Sequence, residues 1–269
     1  MTKRRKNSLL WQAVPREGGP VSYLFGTMHV RDLRAFSWFR TACIFIEECE
    51  VFAAEFDFSQ ADHATLTATW TLPEGIILKQ LLSRRAWKNL AFHARKKLGL
   101  PAEFFQNTHP MQVQVALTTA LLREETSTSL DETLWAYARA KGKSTAGLET
   151  FEEQLELLRN MPLDMQVKNL NHFLKNYHNQ RALIKRMLRW YQEGDIYQIH
   201  RAGRRDARWM RRSLLLERNE RMARRFAELA QRQRVFAAVG AAHLAGSKGM
   251  LRLIKQAGFS VKPIPQHAP

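Results

Sequence analysis

The chain has 269 residues, of which 45% are hydrophobic, and its 42 Lys and Arg outweigh 25 Asp and Glu to give a net charge of +17. That length and apolar share point to a globular protein with ample core material, and the charge raises the question of an acidic partner such as nucleic acid or anionic lipid. Only Cys43 and Cys49 are present, with no Cys-x-x-Cys, which excludes a cysteine zinc site and fits a reducing compartment.

The N-terminus is basic at Lys3, Arg4, Arg5 and Lys6, but the apolar run from Leu9 to Val14 contains Gln12 and stops at Pro15. It is too short for a secretory core, and no stretch approaches the roughly 18 apolar residues of a membrane span. A cytoplasmic protein of one domain, residues 1–269, is expected.

Leu9 to Val14, the turn-rich Pro15 to Pro20, and Val21 to Phe25 predict a β-hairpin. The second strand runs out at Gly26 in Tyr23-Leu-Phe-Gly-Thr-Met-His-Val30 and presents His29 just past its end. Phe36 to Glu48 reads as a helix leading to the strand Val51 to Asp57. There Phe52, Ala54 and Phe56 alternate with Val51, Ala53 and Glu55, which puts Glu55 near a strand's C-terminal end. Ligand sites gather at such ends in α/β sheets.

Residues 60–125 read as helical, with breaks at Pro73-Glu-Gly75, Gly99-Leu-Pro101 and His109-Pro110, and carry no catalytic pattern. Ser129-Leu-Asp-Glu132 is a capping box that opens a helix with Leu130, Leu134 and Ala138 on one side. Gly142 ends it, the strand Ser144 to Leu148 follows, and Glu149 stands before a second capping box, Thr150 to Glu153. Gly142-Lys-Ser144 is no phosphate loop, because Tyr137 occupies the position of the first Walker glycine.

Two long helices are expected, Pro162 to Glu193 and Asp206 to Arg232. Between Arg181 and Arg234 lie 16 Lys and Arg against 6 Asp and Glu. Met210, Leu214, Met222, Phe226 and Leu229 form a buried stripe, Arg218 falls on it, and Asn219 borders it. A guanidinium there needs a carboxylate or an anionic ligand. Val235 to Val239 reads as a central strand. It ends at Gly240, with His243 three residues on, repeating the spacing of Gly26 and His29. A helix Gly246 to Gln256 and a strand Gly258 to Lys262 complete an α/β (or α+β) chain.

With these motifs in place the sequence resembles the TraB/PrgY/GumN/TIKI family from about Leu9 to Val261. The resemblance rests on Tyr-Leu-Phe-Gly-Thr-x-His, on Gly147-Leu-Glu-Thr150 with Glu153-Gln-Leu155, on Glu217-Arg-Asn219, and on Val239-Gly-x-x-His-Leu-x-Gly246. It implies an EreA/ChaN-like fold, a mixed sheet flanked by helices, with a site built from both Gly-x-x-His motifs and acidic residues. In the TIKI branch that site goes with divalent-metal-dependent peptidase activity. His29 and His243 are then expected as ligands of Mn, Co, Zn or Fe, with Glu55 as third ligand or general base and Glu149 as the other acidic member. Arg218 would pair with one carboxylate or steady an oxyanion.

The alternative is a binding or regulatory protein that captures a peptide, a haem-like molecule or another anionic ligand in the same pocket without turnover. Nucleic acid is the less favoured partner, since the basic segment shows no helix-turn-helix, RNA-recognition or zinc-finger pattern. No His-Glu-x-x-His or Gly-x-Ser-x-Gly is present.

Overall fold

The structure, a computed structural model, describes residues 7–60, 62–122, 124–206 and 212–266. It is an α/β fold with two compact units: Met1–Ala61, Glu124–Glu153 and Met187–Pro269 in the first, and Asp62–Arg123 with Gln154–Arg186 in the second.

The first unit holds one mixed six-stranded sheet in the order β4-β3-β5-β2-β1-β6. Its strands are β1 (Leu10–Pro15), β2 (Ser22–Thr27), β3 (Val51–Phe56), β4 (Ser144–Glu149), β5 (Val235–Gly240) and β6 (Phe259–Ile264). The hairpin β1–β2 is antiparallel, and β6 adds antiparallel to β1. β2, β5, β3 and β4 are mutually parallel, so all four release their C-terminal ends at one edge.

β5, apolar from end to end, lies between two parallel neighbours and is buried throughout except at its last residue, as a fully covered strand should be. Phe236 stacks on Phe52 at 5.9 Å and lies 6.0 Å from Phe25, which ties three strands together through one aromatic layer. The helix Leu130–Ala140 buries Leu130, Leu134 and Ala138, and its Trp135 meets Phe52 edge-on. Ser129 opens it with the expected capping box. The helix Arg218–Ala230 buries Met222, Phe226 and Ala230 and packs on β4 and β5.

The second unit is helical: His63–Thr69, Leu78–Leu81, Arg84–Leu98, Pro110–Thr119 and Leu163–Lys175. Leu78, Leu90, Val113, Leu117 and Leu170 form its core. Gly99 closes the helix Arg84–Leu98 in the left-handed region, at φ 70°.

Several boundaries depart from the expectations. Pro162 to Glu193 is two helices, Leu163–Lys175 and Tyr177–Gln192. Asn176 leaves helical geometry (φ −108°, ψ 19°), and its N–H caps the carbonyls of His172 and Phe173. Ile196–Asp206 is a further helix. In the expected helix Asp206 to Arg232, residues 207–211, including Met210 of the stripe, lie outside the described residues; a π-helical turn, Arg212–Glu217, precedes Arg218. The helix expected from Gly246 begins only at Met250, because Gly246 takes φ +106° and turns the chain instead. Phe36 to Glu48 starts as a 3-10 turn, Leu33–Trp38, before becoming α-helical at Phe39. Cys43 and Cys49 are unpaired. No helix among the described residues is long and apolar enough to cross a membrane.

Candidate functional site

The two Gly-x-x-His motifs leave adjacent parallel strands at the same edge. Gly26 of β2 lies opposite Val239, and Thr27 lies opposite Gly240 of β5. The glycines are there for space. A Cβ on Gly26 would stand 2.8 Å from Leu244 Cδ1 and 3.1 Å from the backbone of Ala241, so the bare glycine lets the turn of the second motif close against β2. Gly26→Ala is expected to cost about 1–3 kcal/mol by overpacking, read as a lower urea midpoint; an unchanged midpoint would mean that Leu244 and Ala241 yield freely. A Cβ on Gly240 would stand 3.1 Å from Glu55 Oε1, and the Gly240 N–H donates to that same oxygen at 2.7 Å.

His243 sits at the end of the 3-10 turn Ala241–His243 and is buried. Its Nδ1 faces the side-chain oxygen of Asn219 at 2.6 Å. Asn219 donates its Nδ2 to the carbonyl of Lys248 at 2.7 Å, which fixes the amide with its oxygen toward the imidazole. Nδ1 of His243 therefore carries the proton, and Nε2 presents a lone pair. Nε2 lies 3.8 Å from Glu55 Oε1. Burial pushes the His243 pKa down, and Glu55 only partly opposes that, so the ring is neutral at pH 7.

Glu55 projects from the strand face away from Phe52, near the end of β3. Its Oε2 accepts from Arg218 Nη2 at 2.6 Å. Burial would raise its pKa, but Arg218, His243 and the Gly240 amide outweigh burial and hold it at about 2. The same guanidinium donates through Nε to Glu149 Oε2 at 2.7 Å. Glu149 is almost wholly buried, and its other oxygen takes Arg221 at 2.9 Å. One helical turn further on, Arg225 grips Glu153 at 2.6 and 2.9 Å. Positions 218, 221 and 225 share one helix face, so the arginine-rich helix answers in sequence the carboxylates of β3, of β4 and of the first turn of the helix Phe151–Arg159. Arg218 thus meets two carboxylates where one was expected.

His29 is placed differently. Its side chain is 67% exposed, and Nδ1 lies 3.5 Å from Asp131 Oδ2. Asp131 raises the His29 pKa against a smaller opposing effect of burial. Oδ1 of Asp131 accepts from Thr27 Oγ1 at 2.6 Å, while Oδ2 is buried without a hydrogen-bond partner among the described residues. The strand edge therefore carries two histidine–carboxylate pairs, His243 with Glu55 and His29 with Asp131. Glu149 stands behind the arginines rather than beside a histidine. Among the described residues no three His, Cys, Asp or Glu side chains close on one point. A cavity of about 180 Å³ opens beside His243, walled by Met28, Met187, Tyr191 and Ile199.

Sequence reasoning passed over Asp131, Arg221 and the role of Asn219. Asp131 was the hardest to see, because an acid in the first turn after a Ser cap has an ordinary explanation in the helix dipole.

The model of the TraB/PrgY/gumN family matches residues 9–263. Among curated proteins the chain is similar to Metalloprotease TIKI2 of Danio rerio, with 27% identity over 100% of this chain and 63% of that protein. It is similar to Metalloprotease TIKI1 of Danio rerio, with 25% identity over 98% of this chain and 64% of that protein. With Metalloprotease TIKI1 of Homo sapiens the identity is 24% over 98% of this chain and 63% of that protein. The chain thus spans less than two thirds of the length of these relatives. No solved structure matches.

Proposed function

The chain belongs to the TraB/PrgY/gumN family, and from that premise we propose that it is a metal-dependent hydrolase of peptide bonds. One observation carries the reading. His243 is locked by Asn219 into the tautomer that offers Nε2, beside a carboxylate, at the edge where four parallel strands end. The name metalloprotease borne by the relatives agrees with it.

The donors suit a divalent cation in kind, and holding one would draw His29 in toward His243 and Glu55, since no three such side chains close on one point among the described residues. His243 Nε2 is a free imidazole donor, Asp131 Oδ2 is a buried oxygen without a hydrogen bond, and each oxygen of Glu55 has a second lone pair. Such a nitrogen and oxygen set suits Mn, Co or Zn. His29, Glu55 and His243 would hold the ion, with Asp131 as a further oxygen or as the anchor of His29. When bound, a divalent ion polarises a carbonyl as a Lewis acid and makes water nucleophilic near neutral pH.

With its pKa at about 2, Glu55 suits a ligand better than a general base, which works best near the working pH. Arg218 and the Gly240 amide fix the rotamer of Glu55, and the small cavity beside His243 takes an apolar side chain of the substrate. We place the protein in a reducing compartment on the strength of its two unpaired cysteines.

The test is metal binding by the chelator-treated protein, followed by peptide hydrolysis with added Mn²⁺, Co²⁺ or Zn²⁺. Near-stoichiometric metal is expected, lost in His29→Ala/His243→Ala while its circular dichroism stays that of the folded protein; its melting temperature falls, because Asn219 loses its buried partner. No metal under any loading condition would end the hydrolase reading. A second reading is capture of a peptide or small anion without turnover. The full engagement of Glu149 by Arg218 and Arg221 favours it, and stoichiometric peptide binding unaffected by chelator would establish it.

A further inference from the structure

A second cavity, of about 480 Å³, lies between the helix Ile196–Asp206 and the loop 246–248. That size is typical of a small-molecule pocket. Its walls carry His200, Arg201, Arg204, Ser247, Lys248 and Arg252, and no carboxylate among the described residues. Lys248 meets Glu220 at 2.8 Å in a half-exposed pair. Arg201, Arg204 and Arg252 have no carboxylate partner among the described residues.

Arginines on an open convex surface spread into solvent and stay apart. These converge on a concavity, where like charges repel unless an anion sits among them. The wall is also fixed in place. His200 donates its Nδ1–H to the carbonyl of Ala242 at 2.9 Å. A Cβ on Gly246 would come within 2.6 Å of His200 Nε2, so the loop rests directly on the imidazole.

We propose that this cavity is a binding site for a phosphate-bearing small ligand, with room for a diphosphate group. Three unpaired guanidiniums call for more than one negative charge, Lys248, matched by Glu220, adds a further donor, and guanidinium forks match phosphate oxygens two at a time. The ligand would be a free phosphoryl compound or the phosphorylated headgroup of a lipid. Duplex nucleic acid fits less well, because it needs cations tracking a backbone rather than gathered in one cavity. The proposal is independent of whether the strand edge turns over.

The test is calorimetric titration of the full chain with sodium pyrophosphate and with inorganic phosphate, in excess EDTA so that no metal bridges the anion to the strand edge. One pyrophosphate per chain is expected, bound more tightly than phosphate. Affinity should fall at least about tenfold in Arg201→Ala/Arg252→Ala and stay unchanged in the charge-matched Arg84→Ala/Arg85→Ala, exposed on the second unit. Arg204→Ala/Lys248→Ala provides an independent pair should the first melt early. Vesicles of phosphatidylcholine with and without a phosphoinositide separate the two sources, and retention that requires the phosphoinositide and Arg201 assigns the lipid. The proposal is overturned by absence of pyrophosphate binding, by equal losses in the control pair, or by a duplex that binds more tightly and is released by the same substitutions.

Discussion

Arg218→Ala is expected to lower stability by about 3–5 kcal/mol at pH 7, the cost of stripping the shared cation from a buried ion-paired cluster. Arg218 is 13% exposed and bridges Glu55 to Glu149, itself only 1% exposed. Removing it leaves Glu149 with Arg221 alone and Glu55 with the Gly240 amide and the neutral His243. Arg218→Lys should fall between the two proteins, since an ammonium lacks the fork that serves both carboxylates.

The pH dependence separates this mechanism from loss of packing. Glu55 is depressed from 4.5 to about 2, so its contribution is fully present above about pH 4.5 and lost as pH falls toward 2. A shift of that size corresponds to something on the order of 3 kcal/mol. The wild type should therefore lose stability across that acid window. The variant, whose Glu55 takes up a proton more readily, should lose less, so that the two converge. Urea denaturation at pH 7, 5 and 3 measures both effects. A gap below about 1 kcal/mol at pH 7, or one that persists unchanged at pH 3, would contradict the cluster's role.

How far the sequence foretold this depends on the range of each interaction. The strands were legible because apolar runs and alternation are local, and β3 and β5 appear where periodicity puts them. Arg218 was legible for a related reason, a charge standing on an apolar helical stripe. Asn176 ends a helix without glycine or proline, so nothing local announced the break. Gly246 stood at a position that reads as a helix start until its left-handed φ is seen. The partners of Asn219 lie 24 and 29 residues away, and no periodicity carries information over that distance. The two Gly-x-x-His motifs were visible, but their adjacency comes from strand order, with β5 inserted beside β2 by a crossover of over 200 residues. The unequal burial of the two histidines could not be read from identical spacings. It follows from their surroundings, Asn219 and Glu55 against the buried His243, and Asp131 beside a His29 that stays largely exposed.

That asymmetry makes Asn219 the sharpest probe of the metal site. Asn219→Ala is expected to weaken divalent-metal affinity by about 10–100-fold, as removal of a partner that orients a ligand imidazole does. Stability should fall too, by about 1–3 kcal/mol, because the buried His243 Nδ1–H loses its acceptor and the Lys248 carbonyl its donor. Asn219→Asp keeps an oxygen opposite Nδ1, and its negative charge makes the ring a stronger donor. It should therefore retain most of the metal affinity while sharing the loss at Lys248. The readout is competition against a chromogenic chelator, run beside urea denaturation on all three proteins. A merely structural Asn219 would lower stability in both variants and leave metal affinity equal. Affinity that survives in Asp and collapses in Ala would locate the effect in the acceptor opposite His243 Nδ1, because both variants lose the bond to the Lys248 carbonyl.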